Sequence, residues 1–487
     1  MKLSQLLENI SYVEFKNYKD VDILGIAYDS RKIKQDFIFV AIEGFKVDGH
    51  RYVEDAISKG AKAVMVEKYV DAVDNIIQIK VKDTREALAD ISANFYNRPS
   101  ENLRLVGITG TNGKTTTTYL IKSILEVYNK KVGLIGTIGN IIGDKIEKTN
   151  NTTPESLELQ MIFNDMVKDN MDTCIMEVSS HSLALNRVSS SDFNIGIFTN
   201  LTPEHLDLHK TIENYLSAKL KLFYMTSNYN IINGDDPYGK NIINEIKSLK
   251  TPLLTYGINE CCDIRAKNIR HSLESVKFTL LIKNDSIDIN MDIPGIFTVY
   301  NSLAAAACAY AMGIDLQTIR NGLENVHGVK GRFEVVPVDK DFTVIIDFAH
   351  TPDGFEKVLS TINDFAKGRK VAIFGCGGDR DKTKRPVMGE IAGKYVDLCV
   401  LTSDNSRSEK TEDIIKDIVL GVEKTGCDYV NIPDRREAIK YALLNSKPND
   451  VIILLGKGHE TYQIINDKVL PFDEREIIMD ILEKSSK

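Results

Sequence analysis

Short apolar runs and longer stretches of helical periodicity take turns along most of this chain. LRLVGIT, from Leu103 to Thr109, predicts a strand, Lys114 to Tyr128 a helix, and KVGLIG a second strand. Thr173 to Val178 and Phe193 to Thr199 are two further apolar runs of strand character. Strands buried on both faces read as continuous apolar segments, so this rhythm predicts a mostly parallel sheet with helices on both sides. Within VKFTLLIKNDSIDINMDI the pattern changes to alternation of apolar and polar residues. A hairpin is expected there, turning near Asn284 and Asp285, which adds antiparallel strands.

The flanks follow related rhythms. Before residue 100, DFIFVAI (Asp36–Ile42) predicts a strand, and YVEDAISKGAKAVMVE (Tyr52–Glu67) predicts a helix, a turn at Gly60 and a buried strand. Asn97-Arg98-Pro99-Ser100 is a boundary. After Gly331, the runs FTVIIDFAH, KVAIFGCGG, LCVLTSDN, DYVNIPD and DVIILLGKG alternate with helical stretches, a Rossmann-like pattern. At a prior of roughly 150 residues per domain the length suits three domains. The expected fold is α/β: a small N-terminal domain (1–101), a central P-loop ATPase-type sheet with some antiparallel strands (102–329) and a C-terminal Rossmann-like domain (330–487). Ligands at such sheets bind beyond the carboxyl ends of strands, so the polar residues that end those runs are the candidates for chemistry.

Composition narrows the partners. Hydrophobic residues make up 43% and charged ones 27%, and the net charge is −8, so no broad basic face offers itself to nucleic acid. The longest uncharged apolar run, around Leu303 to Ile314, is too short to span a bilayer, and no membrane partner is expected. Met1 to Phe15 carries Glu8 inside its apolar stretch and no small-residue cleavage site, so no secretory leader is expected. The 7 cysteines form no C-x-x-C pair, which argues against a disulfide framework or structural zinc and for reduced thiols in the cytoplasm.

Gly110-Thr111-Asn112-Gly113-Lys114-Thr115-Thr116 follows a predicted strand and opens a predicted helix. A phosphate loop needs that setting: glycines let backbone N–H groups turn inward, the helix N-terminus adds partial positive charge, and the lysine supplies a point charge. The common Walker spacing puts its first glycine where Ile108 stands; here the glycines are Gly107 and Gly110. Thr115 offers a hydroxyl to magnesium. Glu177 ends one strand run ahead of Ser179, Ser180, His181 and Arg187, and Glu204, His205, Asp207 and His209 follow another. A carboxylate and an imidazole at neighbouring strand ends suit a divalent ion that holds phosphates.

GTNGKTT, EVSSH, NLTPEHLD-x-H and ENYLSAKLKLF together resemble the muramyl peptide ligases of bacterial cell-wall synthesis, whose phosphate loop has this shortened spacing. The likeness continues through DSRKIKQDFIFVAIEG and DGH near the start and DFAHTPDG, FGCGGDRDKTKRPVMG, TSDNSR and LLGKGHETY near the end, so it covers essentially the whole chain. It implies a ligase in which ATP, with magnesium, phosphorylates a peptide carboxylate and an amine then displaces the phosphate. The substrates so implied are UDP-N-acetylmuramoyl-L-alanyl-D-glutamate and meso-diaminopimelate, joined by a cytoplasmic monomer.

The resemblance also implies roles for residues. Lys114 contacts the terminal phosphates, within a loop of Gly110, Thr111, Asn112, Gly113, Thr115 and Thr116, and Asn301, Arg332 and Asp347 complete the ATP site. Thr115, Glu177, His205 and Lys219, the last as a carbamate (N6-carboxylysine), surround magnesium; Lys114, Glu177, His205, Lys219 and Arg332 are the catalytic set. Ser30, His50, Asn151, Thr152, Thr153, Ser179 and Arg187 match the positions that hold the UDP-muramyl-dipeptide. Arg380, Asp404, Asn405, Ser406, Arg407, Gly456 and Glu460 match those that recognise meso-diaminopimelate, whose distal carboxylate a guanidinium answers bidentately and whose distal ammonium a carboxylate answers.

Some positions leave the family's usual pattern. Ser406 stands for a proline in the selector loop, Glu204 for an aspartate, Thr298 for an asparagine and Leu185 for a glutamine. The nearest alternative keeps the chemistry and takes L-lysine or another diamino acid; Arg407 favours meso-diaminopimelate. Folylpolyglutamate synthetases share the ATP domain, but read Gly-Lys-Gly-Ser after their loop and lack the DSR domain. An alternative of another class is a non-catalytic nucleotide-dependent binding module. GCGGDR carries Arg380 where a dinucleotide fingerprint has its third glycine.

Overall fold

The structure, a computed structural model, describes residues 1–485 apart from 11–13, 45–46, 72, 74, 150, 273–274 and 467. By internal packing the chain divides into two compact units, one of Met1–Gly110, Leu125–Thr199 and Leu208–Leu254, the other of Thr111–Ile124, Asn200–Asp207 and Thr255–Lys487.

In the first unit, β1 (Glu14–Lys16), β2 (Gly25–Ala27), β3 (Phe37–Val40), β4 (Ala61–Val66) and β5 (Ile77–Lys80) form a sheet in the order β1-β5-β4-β3-β2, parallel except at β1. The expected helix, turn and strand appear as Val53–Ser58, Gly60 at φ 106° and β4. Glycine accepts that φ without the Cβ clash that penalises other residues. Alternate residues of β3 and β4 enter opposite cores: Ile38, Val40 and Met65 pack with Leu3, Leu88 and Ile91, while Phe39, Val64 and Val66 pack with Val53.

The same unit holds β6 (Arg104–Thr109), β7 (Val132–Ile135), β8 (Asn140–Ile142), β9 (Lys145–Glu147), β10 (Thr173–Glu177), β11 (Phe193–Phe198) and β12 (Thr226–Asn233), in the order β12-β11-β6-β10-β7-β8-β9. The first five in that order are parallel, as the continuous apolar runs predict, and β10 is buried along its whole length. The antiparallel pair β8–β9 is an addition that the apolar pattern does not announce, since β9 is exposed throughout.

In the second unit, Tyr256 and Gly257 at the end of β13 (Leu253–Gly257) pair with β14 (Ile264–His271), which continues antiparallel to β15 (Val276–Ile282) and β16 (Asp285–Met291). Ile282 pairs with Asp285, so the hairpin turns on Lys283 and Asn284, one residue earlier than expected, with Lys283 at φ 54°. Two-residue hairpin loops demand such positive φ values. The C-terminal sheet contains β17 (Glu334–Val336), β18 (Thr343–Asp347), β19 (Lys370–Phe374), β20 (Leu398–Leu401), β21 (Asp428–Asn431) and β22 (Val451–Leu455) in the order β17-β18-β22-β19-β20-β21, parallel except at β17. Ala372 and Phe374 fill one core, Val371 and Ile373 the other, so this sheet is covered on both faces. A hairpin of β23 (Tyr462–Ile465) and β24 (Lys468–Pro471) follows.

The apolar run near Leu303 is the buried core helix Ile296–Ala311, and among the described residues no helix is long and apolar enough to cross a membrane. Among the described residues none of the 7 cysteines is in a disulfide.

Candidate active site

The loop after β6 is shaped by its own backbone. Gly113 has φ 88°, and a Cβ there would meet Asn301 Oδ1 at 2.4 Å, so conformation and space both require glycine. Asn200 fastens the loop from the side. Its carbonyl accepts from Thr111 N–H at 2.8 Å, its Oδ1 from Asn112 N–H at 3.0 Å, and its Nδ2 donates to the Asn112 carbonyl at 3.0 Å. The Lys114 ammonium donates to the Thr111 carbonyl at 2.8 Å. On the helix Lys114–Val127, Thr117 Oγ1 donates to Asn301 Oδ1 at 3.4 Å and Thr115 Oγ1 accepts from Arg332 Nη2 at 3.0 Å.

Arg332 lies over the Phe348 ring at 4.6 Å, a cation–π contact that orients its fork. Asp347, at the end of β18, accepts from Phe333 N–H and Ala349 N–H at 2.6 Å each. Burial pushes its carboxyl upward, opposed by the Arg332 charge and those two N–H groups. Glu204 is reached by His350 Nε2 at 3.5 Å and His205 Nε2 at 3.7 Å. Burial works against its charge, yet the His350 hydrogen bond and the charges of His205, His350 and Lys114 hold the carboxyl far below the usual carboxylate range. His205 itself stands at φ 57°, in the left-handed region that few non-glycine residues enter.

In the first unit Glu177 closes β10 beside Ile108 of β6. Its carboxylate accepts from Thr137 N–H at 2.8 Å and Thr137 Oγ1 at 3.0 Å, and its carbonyl accepts from Thr153 Oγ1 at 2.8 Å. Thr152 reaches Thr137 (Oγ1 to Oγ1, 3.2 Å), and Ser179 N–H donates to Thr153 Oγ1 at 3.0 Å. Arg187 donates to the Thr153 carbonyl at 3.1 Å and pairs with Glu155 at 2.7 Å. Glu177, Thr152, Thr153, Ser179 and Arg187 therefore form one cluster. Asn151 stands beside it, its carbonyl accepting from Thr149.

Lys219 is 1% exposed on the helix Ile212–Tyr224, whose buried face runs Tyr215, Ala218, Lys219, Leu222, Phe223. That spacing is the core stripe of a helix, so the lysine points inward. Its ammonium donates to the Gly110 carbonyl at 2.9 Å and lies 4.4 Å from the Tyr215 ring. Nearer the N-terminus, Ser30 is buried at the start of the turn Ser30–Lys32. The His50 ring accepts from Glu67 N–H at Nε2 (3.0 Å), which leaves Nδ1 to carry the proton towards Asp48 Oδ1 at 2.6 Å.

The selector loop, residues 404–407, follows β20. Gly378 N–H donates to the Asn405 carbonyl at 2.9 Å, and a Cβ on Gly378 would sit 1.8 Å from the Ser406 carbonyl oxygen. The glycines of GCGG are thus explained by the selector backbone lying against them. Arg407, at φ 50°, donates its N–H to the Ile464 carbonyl at 3.1 Å, and its own carbonyl accepts from Asn466 N–H at 2.7 Å. Its guanidinium donates through Nη1 to the carbonyls of Gly378 (2.9 Å) and Asn405 (3.3 Å). Burial and the nearby Arg380 guanidinium both lower its hold on the proton. Asn405 Nδ2 donates to Glu460 Oε2 at 3.0 Å. Gly456 has φ 107°, and a Cβ there would meet Asp404 Oδ2 at 2.7 Å.

Three family models match in chain order: "Mur ligase family, catalytic domain" over 22–96, "Mur ligase middle domain" over 108–309 and "Mur ligase, glutamate ligase domain" over 331–458. A relative from Caldanaerobacter subterraneus subsp. tengcongensis, called UDP-N-acetylmuramoyl-L-alanyl-D-glutamate--2,6-diaminopimelate ligase, is 52% identical over 487 residues, 100% of each chain. The chain belongs to the Mur ligase family. Another relative of that name, from Alkaliphilus metalliredigens, is 48% identical over 97% of this chain and 96% of its own. A solved structure of a ligase of the same name is 30% identical with a TM-score of 0.69, covering 96% of this chain and 98% of that one.

Within this Mur ligase Arg332 donates to Thr115, and Asn301 accepts from Thr117 on the helix that follows the loop. Among the described residues no group of three His, Cys, Asp or Glu side chains forms a metal-holding cluster. Asn200, His350, Thr137 and Lys457 were not singled out from sequence. Asn200 and His350 could have been, since each is a polar residue just past a predicted strand.

Proposed function

We infer that this Mur ligase uses ATP to join meso-diaminopimelate to UDP-N-acetylmuramoyl-L-alanyl-D-glutamate. The observation that carries the choice of amine is the selector region, where a guanidinium steered by two carbonyls and a carboxylate steered by an amide both bond to Asn405. The distal end of meso-diaminopimelate carries a carboxylate and an ammonium, the complement of that pair.

The chemistry follows in two steps. A carboxylate oxygen of the peptide attacks the terminal phosphorus of ATP, the bond from that phosphorus to the bridging oxygen breaks, and ADP leaves an acyl phosphate. The amine nitrogen then attacks the acyl carbon, the carbon–oxygen bond to phosphate breaks, and the nitrogen loses a proton. Negative charge gathers in both steps, and the loop N–H groups with the Lys114 ammonium are the donors that answer it. Magnesium usually keeps waters and substrate phosphates beside one or two oxygen ligands, and such an ion would arrive with the nucleotide. Thr115 and Glu177 offer oxygens to it, His205 an imidazole, and Lys219 a further anionic ligand if carbamylated; bound, the ion neutralises phosphate charge. Ser30, His50 and the cluster around Thr153 and Arg187 serve the muramyl nucleotide. Borders near 101 and 329 suit the three matched segments.

Ser406 bears on how strictly the amine is chosen, because it removes the proline's fixed φ from the loop. Ser406 is 2% exposed, and its carbonyl accepts from Glu409 N–H at 3.1 Å, so the loop is held without proline. The test is phosphate release with the muramyl dipeptide nucleotide and each diamino acid in turn. Meso-diaminopimelate should turn over fastest, and Arg407→Ala should raise its KM by about 10- to 100-fold, the worth of a charged hydrogen bond. Faster turnover with L-lysine would overturn the choice of amine.

A further inference from the structure

Lys457 follows β22 in LLGKGHE, and its side chain is 0% exposed. Its ammonium has three oxygen neighbours, all in the selector region: Glu460 Oε2 at 3.0 Å, Asn405 Oδ1 at 3.2 Å and Asp404 Oδ1 at 3.6 Å. The first two are hydrogen bonds and the third is an ion pair, so the charge is answered wholly within this region. The Tyr462 ring lies 5.7 Å away.

Two carboxylates that converge on one site repel, and each makes the other harder to ionise. Lys457 stands against both. Burial alone would raise the Asp404 carboxyl, but the charges of Lys457 and Arg435 outweigh it and hold the group low. The Arg435 charge is itself matched by Glu474 at 2.8 Å, both fully buried. Glu460 Oε2 is engaged by Lys457 and by Asn405 Nδ2, while Oε1 faces the Tyr462 hydroxyl at 3.4 Å. Asn405 Oδ1, for its part, accepts from both Lys457 and Ile464 N–H (2.9 Å).

We propose that Lys457 is a positioning residue for amine selection: it clamps the inner oxygen of Glu460, aims the outer one at the distal ammonium of the diamino acid, and balances Asp404. The pocket then presents one negative group and the Arg407 guanidinium, the complement of a zwitterion. Without Lys457 the pocket becomes more anionic, and a simple cation such as the lysine side chain gains on the zwitterion. The proposal rests on the reading of Arg407 and Glu460 as the amine-recognising pair.

Steady-state phosphate release by the full-length enzyme tests it, with ATP and the muramyl dipeptide nucleotide saturating and meso-diaminopimelate or L-lysine titrated. Lys457→Met should raise KM for the amine that wild type uses best by about tenfold or more, the loss of a charge-assisted contact. Its kcat should change by less than about threefold, because the contact acts in binding rather than only in the transition state. The kcat/KM preference should move toward L-lysine by roughly fivefold. In a Glu460→Gln background the same substitution should add less than about twofold, since the oxygen it aims is no longer charged.

An unchanged amine KM, or an equal penalty with and without Glu460, overturns the positioning role while wild-type turnover keeps the ligase reading intact. A wild type that uses neither amine refutes that reading, and the proposal with it. If Lys457→Met does not fold, the neutral double variant is compared with Glu460→Gln alone: equal KM supports the role, and a gap of about tenfold overturns it.

Discussion

The phosphate loop and the selector loop both follow parallel strands, yet they are built from different materials. At residues 110–116 two asparagine side chains hold the backbone in shape, Asn200 by bonds to Asn112 and Asn301 by its place against Gly113. At residues 404–407 the roles reverse. Backbone groups are bonded by the backbone of Gly378, Ile464 and Asn466, and the charged side chains of Asp404 and Arg407 are carried on that frame. Phosphates are alike in every nucleotide and can be met by N–H groups; a diamino acid must be told from its relatives, which takes charges at fixed positions. The buried lysines repeat the contrast: Lys219 sits against a carbonyl and an aromatic ring, Lys457 among carboxylates.

The largest effect that would break this contrast is expected at Lys219. Lys219→Ala should lower turnover by about 100-fold, on the scale of losing a transition-state donor, with partial recovery when short carboxylic acids are added. Full activity in the variant would remove the carbamate from the picture. Next comes a matched pair of glycines. Gly113→Ala drives a Cβ into Asn301 and Gly456→Ala into Asp404, each at a positive φ, and each should cost about 1–3 kcal/mol of local strain. Gly113→Ala should raise KM for ATP and leave the amine KM alone; Gly456→Ala should do the converse. If either substitution moves both constants equally, the two sites are not separable.

The smallest effect concerns acid. Hydrogen bonds from Arg385 and Lys382 hold Glu409, beside the selector loop, down to about 2. A carboxylate with a folded pKa below its unfolded one stabilises the fold above the usual carboxylate range and loses that contribution as pH falls toward 2. Glu409→Gln should therefore lower Tm by about 2–4 °C at pH 7, a gap that closes as pH is lowered through that window. A gap independent of pH would assign the effect to packing.

The strands were legible because burial on both faces leaves long apolar runs, and the phosphate loop because backbone recognition demands glycines at set intervals. Lys219 was harder. As a lone charge on a helix it reads as solvated, although its place between Tyr215, Leu222 and Phe223 on the apolar stripe points inward. The hairpin turn was misplaced by one residue because Lys283, which the chain puts in a left-handed conformation, carries none of the usual turn chemistry. Lys457 and Asn405 lie 52 positions apart, and Arg435 and Glu474 lie 39 apart. No local pattern encodes such pairs; only the strand order brings them together. The packing of Gly378 against the Ser406 carbonyl is likewise invisible in residue type alone.

Asn200 carries a last consequence. By gripping both the N–H and the carbonyl of Asn112, it casts the phosphate socket before any guest arrives. Little freedom at Asn112 then remains to be surrendered when a nucleotide docks, which lowers the ordering cost of binding.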